Sequence, residues 1–200
     1  MPKEIKASSG EQHNRSASTI DRTLVVMSGK GSVGKSSITA LLAAGMQKKG
    51  LSVGIIDSDI TGPSIPRIMG VKGKIGVGDG KMIPCLTAGG VKVVSADLLL
   101  DREDDPIVWR GPMVSNAIRQ LWEDTDWGSL DYLVLDLPPG TSDAPLTILQ
   151  MFPGTDVLVV TSLQLLASVI VRKAINMARM VGANVIGMVE NMGTAVCPHC

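Results

Sequence analysis

The sequence predicts an α/β protein with a mostly parallel β-sheet and helices on both of its faces. Three observations carry this. Short runs of four or five residues, apolar on both faces of a strand, recur along the chain. Segments with helix-forming composition alternate with them. The residues able to do chemistry fall where those apolar runs end. Doubly buried strands separated by helices mean a parallel sheet covered on both sides, and in such sheets a ligand sits beyond the carboxyl ends of the strands.

In chain order, residues 1–21 are polar, rich in Ser, Lys and Glu and without periodicity, and read as a disordered tail. A single domain is expected over 22–200. Leu24-Val25-Val26-Met27 is the first buried strand, followed by a Gly-rich run and a helix over Ser36–Lys49 that Gly50 is placed to end. Val53-Gly54-Ile55-Ile56 is the second strand, ending at Asp57. Residues 70–90 are glycine-rich and suit a loop with a hairpin. Val91–Val94 is a further strand. Pro112 sits at the first-turn position that proline tolerates, opening a helix to about Glu123. Tyr132–Leu135 is a strand ending at Asp136, and Val157–Val160 is another. A helix over Leu165–Val181 and a last strand over Val185–Val189 follow.

Composition narrows the function class. Hydrophobic residues are 44% and aromatics 2%, so the core is aliphatic. The 19 basic and 19 acidic residues cancel, which argues against a generally basic nucleic-acid binder or a polybasic membrane anchor. No apolar run reaches membrane-spanning length, and no signal-peptide core is visible. The expectation is a cytoplasmic protein with neither nucleic-acid nor membrane partners. The 3 cysteines, Cys85, Cys197 and Cys200, do not suit a disulfide framework.

Gly29-Lys30-Gly31-Ser32-Val33-Gly34-Lys35-Ser36 matches G-x-x-x-x-G-K-S in full, between a strand and a helix. Glycines let backbone N–H groups turn toward phosphates, and the following helix N-terminus adds its dipole. Lys35 is expected to reach the β and γ phosphates of ATP and Ser36 to place its hydroxyl on Mg2+. Ser37 belongs to the same cradle. Asp57-Ser58-Asp59 and Asp136 stand at strand ends beside this loop. Magnesium takes oxygen ligands and keeps several waters, so carboxylates there suit it. Hydrolysis also needs a group that orients the attacking water. An Asp at a strand end serves more often as a helix cap or turn former, but three beside one phosphate loop point to function.

With Lys30 at its second position, the loop resembles that of the deviant Walker A class of P-loop ATPases, which includes MinD, ParA and the nitrogenase iron protein. The resemblance implies that Lys30 reaches across a dimer to the partner's nucleotide. It also implies that Asp57 and Asp136 are magnesium-side residues, that Asp59 orients the attacking water and that Asn191 contacts the adenine.

Further motifs narrow the match over residues 22–200. They are Gly62-Pro63-Ser64-Ile65-Pro66, Trp109-Arg110-Gly111-Pro112, Asp126-Trp127-Gly128, the run Leu130 to Asp143, Val189-Glu190-Asn191-Met192 and the terminal Cys197-Pro198-His199-Cys200. Together they resemble the Mrp/ApbC family of iron–sulfur cluster carrier ATPases. The resemblance implies a homodimer, a 4Fe–4S cluster bridged between subunits by Cys197 and Cys200 of each, and apo iron–sulfur proteins as clients. Four thiolates per cluster suit two chains with one such pair each.

A zinc site shared by two chains remains open at the same pair, as does a redox pair, although no helix follows it. His199 is a spacer or a ligand, and Cys85 a partly buried small hydrophobe. A positioning ATPase like MinD or ParA is the alternative function; it calls for an amphipathic C-terminal helix or a basic face, and neither is visible. A nucleotide-binding module with little hydrolysis is a third reading. The chain departs from the family at Ser32, usually glycine, and at Leu163, often proline. It has no N-terminal cysteine cluster, and it stops at Cys200 where members usually run on. If the Ser32 site needs positive φ, serine costs about 1–2 kcal/mol there.

Overall fold

The computed structural model of the chain describes residues 18–60, 62–99, 111–141, 143–163 and 165–193. Its elements, in order, are β1 (Thr19–Ser28), α1 (Lys35–Lys48), β2 (Val53–Asp57), α2 (Ile65–Ile68), β3 (Gly76–Gly78), β4 (Lys81–Ile83), β5 (Cys85–Leu86) and β6 (Lys92–Ser95). A 3-10 turn over Ala96–Leu99 follows. Then come α3 (Gly111–Glu123), β7 (Ser129–Asp136), α4 (Asp143–Met151), β8 (Asp156–Ser162), α5 (Leu165–Met180) and β9 (Asn184–Asn191).

Seven strands form one sheet in the order β5-β6-β2-β7-β1-β8-β9, parallel throughout except for the antiparallel edge strand β5. The central strands are buried on both faces because their runs are apolar throughout: Val25 and Val26, Ile55 and Ile56, Leu133 to Leu135, and Val159 and Val160 are each fully covered. One face packs under α3, α4 and α5 through Ile118, Leu121, Ile148, Leu149, Ala174 and Ala178. The other packs under α1 and α2 through Ala43 and Ile65, together with Val33 from the loop before α1. The helices thus cover both faces, as the doubly apolar strands require.

One expectation needs correction, and two helices carry no signal in the sequence. The first strand begins at Thr19, not near Leu24, so residues 19–21 do not belong to a tail. Thr19, Ile20 and Arg22 pair with Ser129, Leu130 and Tyr132 of β7, and the Thr19 N–H donates to the Gly128 carbonyl at 2.9 Å. This end of β1 runs past the core and is largely exposed, so it lacks the apolar signature used to find the rest. Helix α4 was not foreseen. Pro145 lies in its first turn, where proline is tolerated, and proline–glycine pairs flank it, so the segment resembles a loop in sequence. The one-turn α2 was hidden likewise by Pro63 and Pro66. The expected hairpin is present: β3 and β4 pair antiparallel across Asp79-Gly80.

Parallel strands side by side bring their C-terminal ends to one edge. β2, β7 and β1 are neighbours, with Asp57 in register with Asp136 and Asp136 with Val26. The loop that leaves β1 therefore stands directly over both carboxylates.

Candidate functional site

Residues 29–34 link β1 to α1. The side chain of Val33 is buried in the core beneath α1 and anchors the loop. Gly34 caps α1 with φ 83°, and a Cβ there would lie 2.2 Å from the Asn191 amide nitrogen. No other residue fits that position without moving Asn191, whose Nδ2–H donates to the Val33 carbonyl at 3.0 Å. Gly29 is held by a different constraint: a Cβ would meet Ile170 of α5 at 2.7 Å. Ser32 has φ 61°, so this chain does place a serine in the left-handed region, at a cost of about 1–2 kcal/mol. Lys30, Ser32 and Ser37 are exposed, and Gly31 and Ser36 are partly covered.

Beneath the loop, three side chains from the first five residues of α1, at positions 35, 36 and 39, converge on one carboxylate. Asp136, fully buried at the end of β7, has its Oδ2 2.7 Å from the Lys35 ammonium. The same oxygen accepts the Ser36 hydroxyl at 2.5 Å. Its Oδ1 accepts the Thr39 hydroxyl at 2.7 Å. Lys35 is itself buried, and a buried charge persists where it is paired and hydrogen-bonded.

Asp57 stands beside Asp136 and is equally buried. Its Oδ2 accepts the backbone N–H groups of Ser64 and Ile65 at 2.8 and 2.9 Å, and its Oδ1 that of Asp59 at 3.2 Å. Asp57 thus ties down the start of α2. Its pKa is pushed up to about 7, first by burial and then by the charge of Asp136; the Ile65 and Ser64 N–H groups and Lys35 oppose the rise only in part. Asp59 follows, half-buried, with its carbonyl accepting the Gly62 N–H.

The fold therefore gathers Lys35, Ser36, Asp57, Asp136 and the Asn191–Val33 contact around one loop, with Asp59 and Lys30 at its border. Cys85 lies elsewhere, on edge strand β5, where burial raises its thiol pKa. Cys197 and Cys200 fall outside the described residues, as do His199 and Trp109-Arg110. The residue missed in the sequence is Thr39. The available signal was a hydroxyl one helical turn after Lys35, on the buried face of α1 beside Ala40 and Ala43.

Ser36, Asp57 and Asp136 form an all-oxygen donor set of the kind magnesium takes with its retained waters. A divalent cation there would also favour the ionised form of Asp57, against the burial and the Asp136 charge that together hold its proton on. Among the described residues, no group of three or more His, Cys, Asp or Glu side chains could hold a metal by itself. Among those residues, too, no helix is long and apolar enough to cross a membrane.

Residues 19–200 match the family model described as ParA: NUBPL iron-transfer P-loop NTPase. The chain is 46% identical over 186 residues to an iron-sulfur cluster carrier protein of Clostridium perfringens, covering 89% of this chain and 66% of that protein. It is 42% identical over 200 residues to an iron-sulfur cluster carrier protein of Methanocaldococcus jannaschii, covering 99% of this chain and 69% of that one. The chain thus spans about two thirds of the length of these relatives. A solved nucleotide-binding protein of Archaeoglobus fulgidus, in complex with ADP and with cobalt, is 44% identical and superposes with a TM-score of 0.79, covering 90% of this chain and 70% of that one.

Proposed function

Because the chain belongs to the ParA/NUBPL family of iron-transfer P-loop NTPases, we propose that it is an ATP-dependent iron–sulfur cluster carrier of the cytoplasm. The observation that carries the nucleotide half is the convergence of Lys35, Ser36 and Asp136 beneath the loop. Nucleotide enters over Gly29 to Ser37. Lys35 leaves Asp136 for the β and γ phosphates; Ser36 with Asp57 and Asp136 would hold magnesium, which when bound would supply positive charge against that building on the phosphates. Asp59 orients the water that attacks the γ phosphorus, so that ADP and inorganic phosphate leave. Asn191, already placed against the loop, contacts the adenine. Lys30 acts across a homodimer on the partner's nucleotide.

The cluster is the cargo. Cys197 and Cys200 of two subunits supply four thiolates for one 4Fe–4S cluster, which passes to apo iron–sulfur proteins. The names of the relatives and the four-thiolate requirement support this. The test is anaerobic reconstitution of the wild type, Cys197→Ser, Cys200→Ser and Cys85→Ser, with iron, sulfide and zinc analysis. The expected result is about four irons per dimer for wild type and Cys85→Ser and little for the terminal variants. Tight uptake of zinc without iron would replace the carrier with a zinc-linked dimer.

A further inference from the structure

We propose that Thr39 is a positioning residue of this site: its hydroxyl fixes the Asp136 carboxylate so that Oδ2 is turned to Ser36 and the magnesium ion. The inference rests on the reading of the loop as a magnesium–nucleotide site.

Thr39 and Asp136 are both fully buried, and the Thr39 hydroxyl lies 2.7 Å from Asp136 Oδ1. That hydroxyl also lies 3.1 Å from the Lys35 carbonyl, its neighbour one turn earlier on α1. A hydroxyl has one proton, and the shorter contact, to a charged acceptor, takes it. The bond holds one carboxylate oxygen and leaves the other to the ligand side of the site, where Ser36 donates at 2.5 Å and the Lys35 ammonium lies at 2.7 Å.

The consequence reaches Ser36. A serine hydroxyl that gives its one proton to a fixed acceptor turns its lone pairs toward cations: Ser36 Oγ already accepts from the Lys35 ammonium at 3.3 Å and keeps a second lone pair for a metal ion. If Asp136 could turn, Ser36 would lose that fixed acceptor and its lone pairs would no longer be held toward the metal. Positions 35 and 39 are four residues apart and share a helix face, so α1 delivers the cation, the metal-side hydroxyl and the hydroxyl that steadies their common partner. Partners of this kind behind a ligand shell are worth about 10–100-fold in metal affinity.

The experiment is calorimetric titration of ADP with and without magnesium into wild type, Thr39→Val, Thr39→Ala and Thr39→Ser, with folding followed by circular dichroism. Valine keeps the shape of threonine without the proton; alanine carries the same comparison should the valine variant not fold. The magnesium-dependent gain in ADP affinity is expected to fall about 10-fold or more in Thr39→Val and Thr39→Ala and to persist in Thr39→Ser. A folded valine or alanine variant with the wild-type gain would overturn the proposal. So would a serine variant that loses the gain as fully as the valine one, since packing of the methyl group would then be the cause. A wild type that binds no ADP at all would instead sink the nucleotide-site reading itself.

Discussion

Asp136 and Asp57 end neighbouring strands, in register and equally buried, yet they live in opposite electrostatic states. Asp136 is compensated by an ammonium and two hydroxyls, all from α1. Asp57 accepts hydrogen bonds only from backbone N–H groups of the segment after β2, and burial first, then the charge of Asp136, hold its pKa at about 7 against those groups and Lys35. The phosphate-loop side of the site is assembled in advance, and the β2 side is left short of positive charge. A bound cation would supply what the second side lacks. Two buried carboxylates a strand apart thus anchor different helices by different means, Asp136 holding α1 through charge and hydroxyls and Asp57 holding α2 through backbone N–H groups.

The sharpest way to break that contrast is to remove each carboxylate in turn. Asp136→Ala leaves the Lys35 ammonium buried without its partner, and the loss of a buried pair costs about 3–5 kcal/mol. Asp57→Asn removes a charge that backbone N–H groups and Lys35 offset only in part and keeps one acceptor oxygen for those N–H groups, so its cost in urea unfolding is expected to be smaller than that. Equal losses for the two would mean that the two sides of the site are alike.

A smaller effect appears on titration. The folded protein holds the Asp57 proton up to about pH 7, whereas the unfolded chain releases it near the ordinary carboxylate value of 3.8. Between these values the native state binds more protons, so this stabilisation is complete at the acid end and is lost as pH rises toward 7. Urea midpoints at pH 5 and pH 8, taken relative to Asp57→Asn, are expected to show wild type losing stability with rising pH. Saturation with magnesium and ADP is expected to shrink that loss, because the cation favours the ionised form. A wild type that gains stability over this window relative to the variant contradicts the assignment.

The smallest expected effect lies in the loop. Ser32 sits at φ 61°, and Ser32→Gly is expected to stabilise the protein by about 0.5–1 kcal/mol, the relief of strain less the greater freedom of glycine when unfolded. A destabilised variant would show that the serine side chain makes a contribution larger than its strain.

What could be read from the sequence follows the range of the forces involved. The phosphate loop was legible because its spacing encodes a local geometry: Gly34 is needed for its φ and its contact with Asn191, and Lys35 follows at the helix start. Asp57 and Asp136 were legible as strand ends because the doubly apolar runs before them mark parallel strands. The cap that Asp57 places on α2 matches the commoner structural use of such an aspartate and coexists with a place beside the loop. Thr39 was not legible. A threonine on a helix face has no local signature of function, and its contact with Asp136 joins positions far apart in sequence. The start of β1 and helix α4 were obscured for a similar reason, since polar or proline-containing segments take their structure there from long-range pairing and packing.

The most direct test of the account is calorimetric titration of ATP with magnesium into wild type and Lys35→Ala. Wild type is expected to bind in the presence of magnesium. The variant, which lacks the charge proposed to meet the phosphates, is expected to bind at least about 10-fold more weakly, as the loss of a charge-assisted contact implies. Unchanged affinity in Lys35→Ala would contradict the claim that residues 29–36 hold the nucleotide.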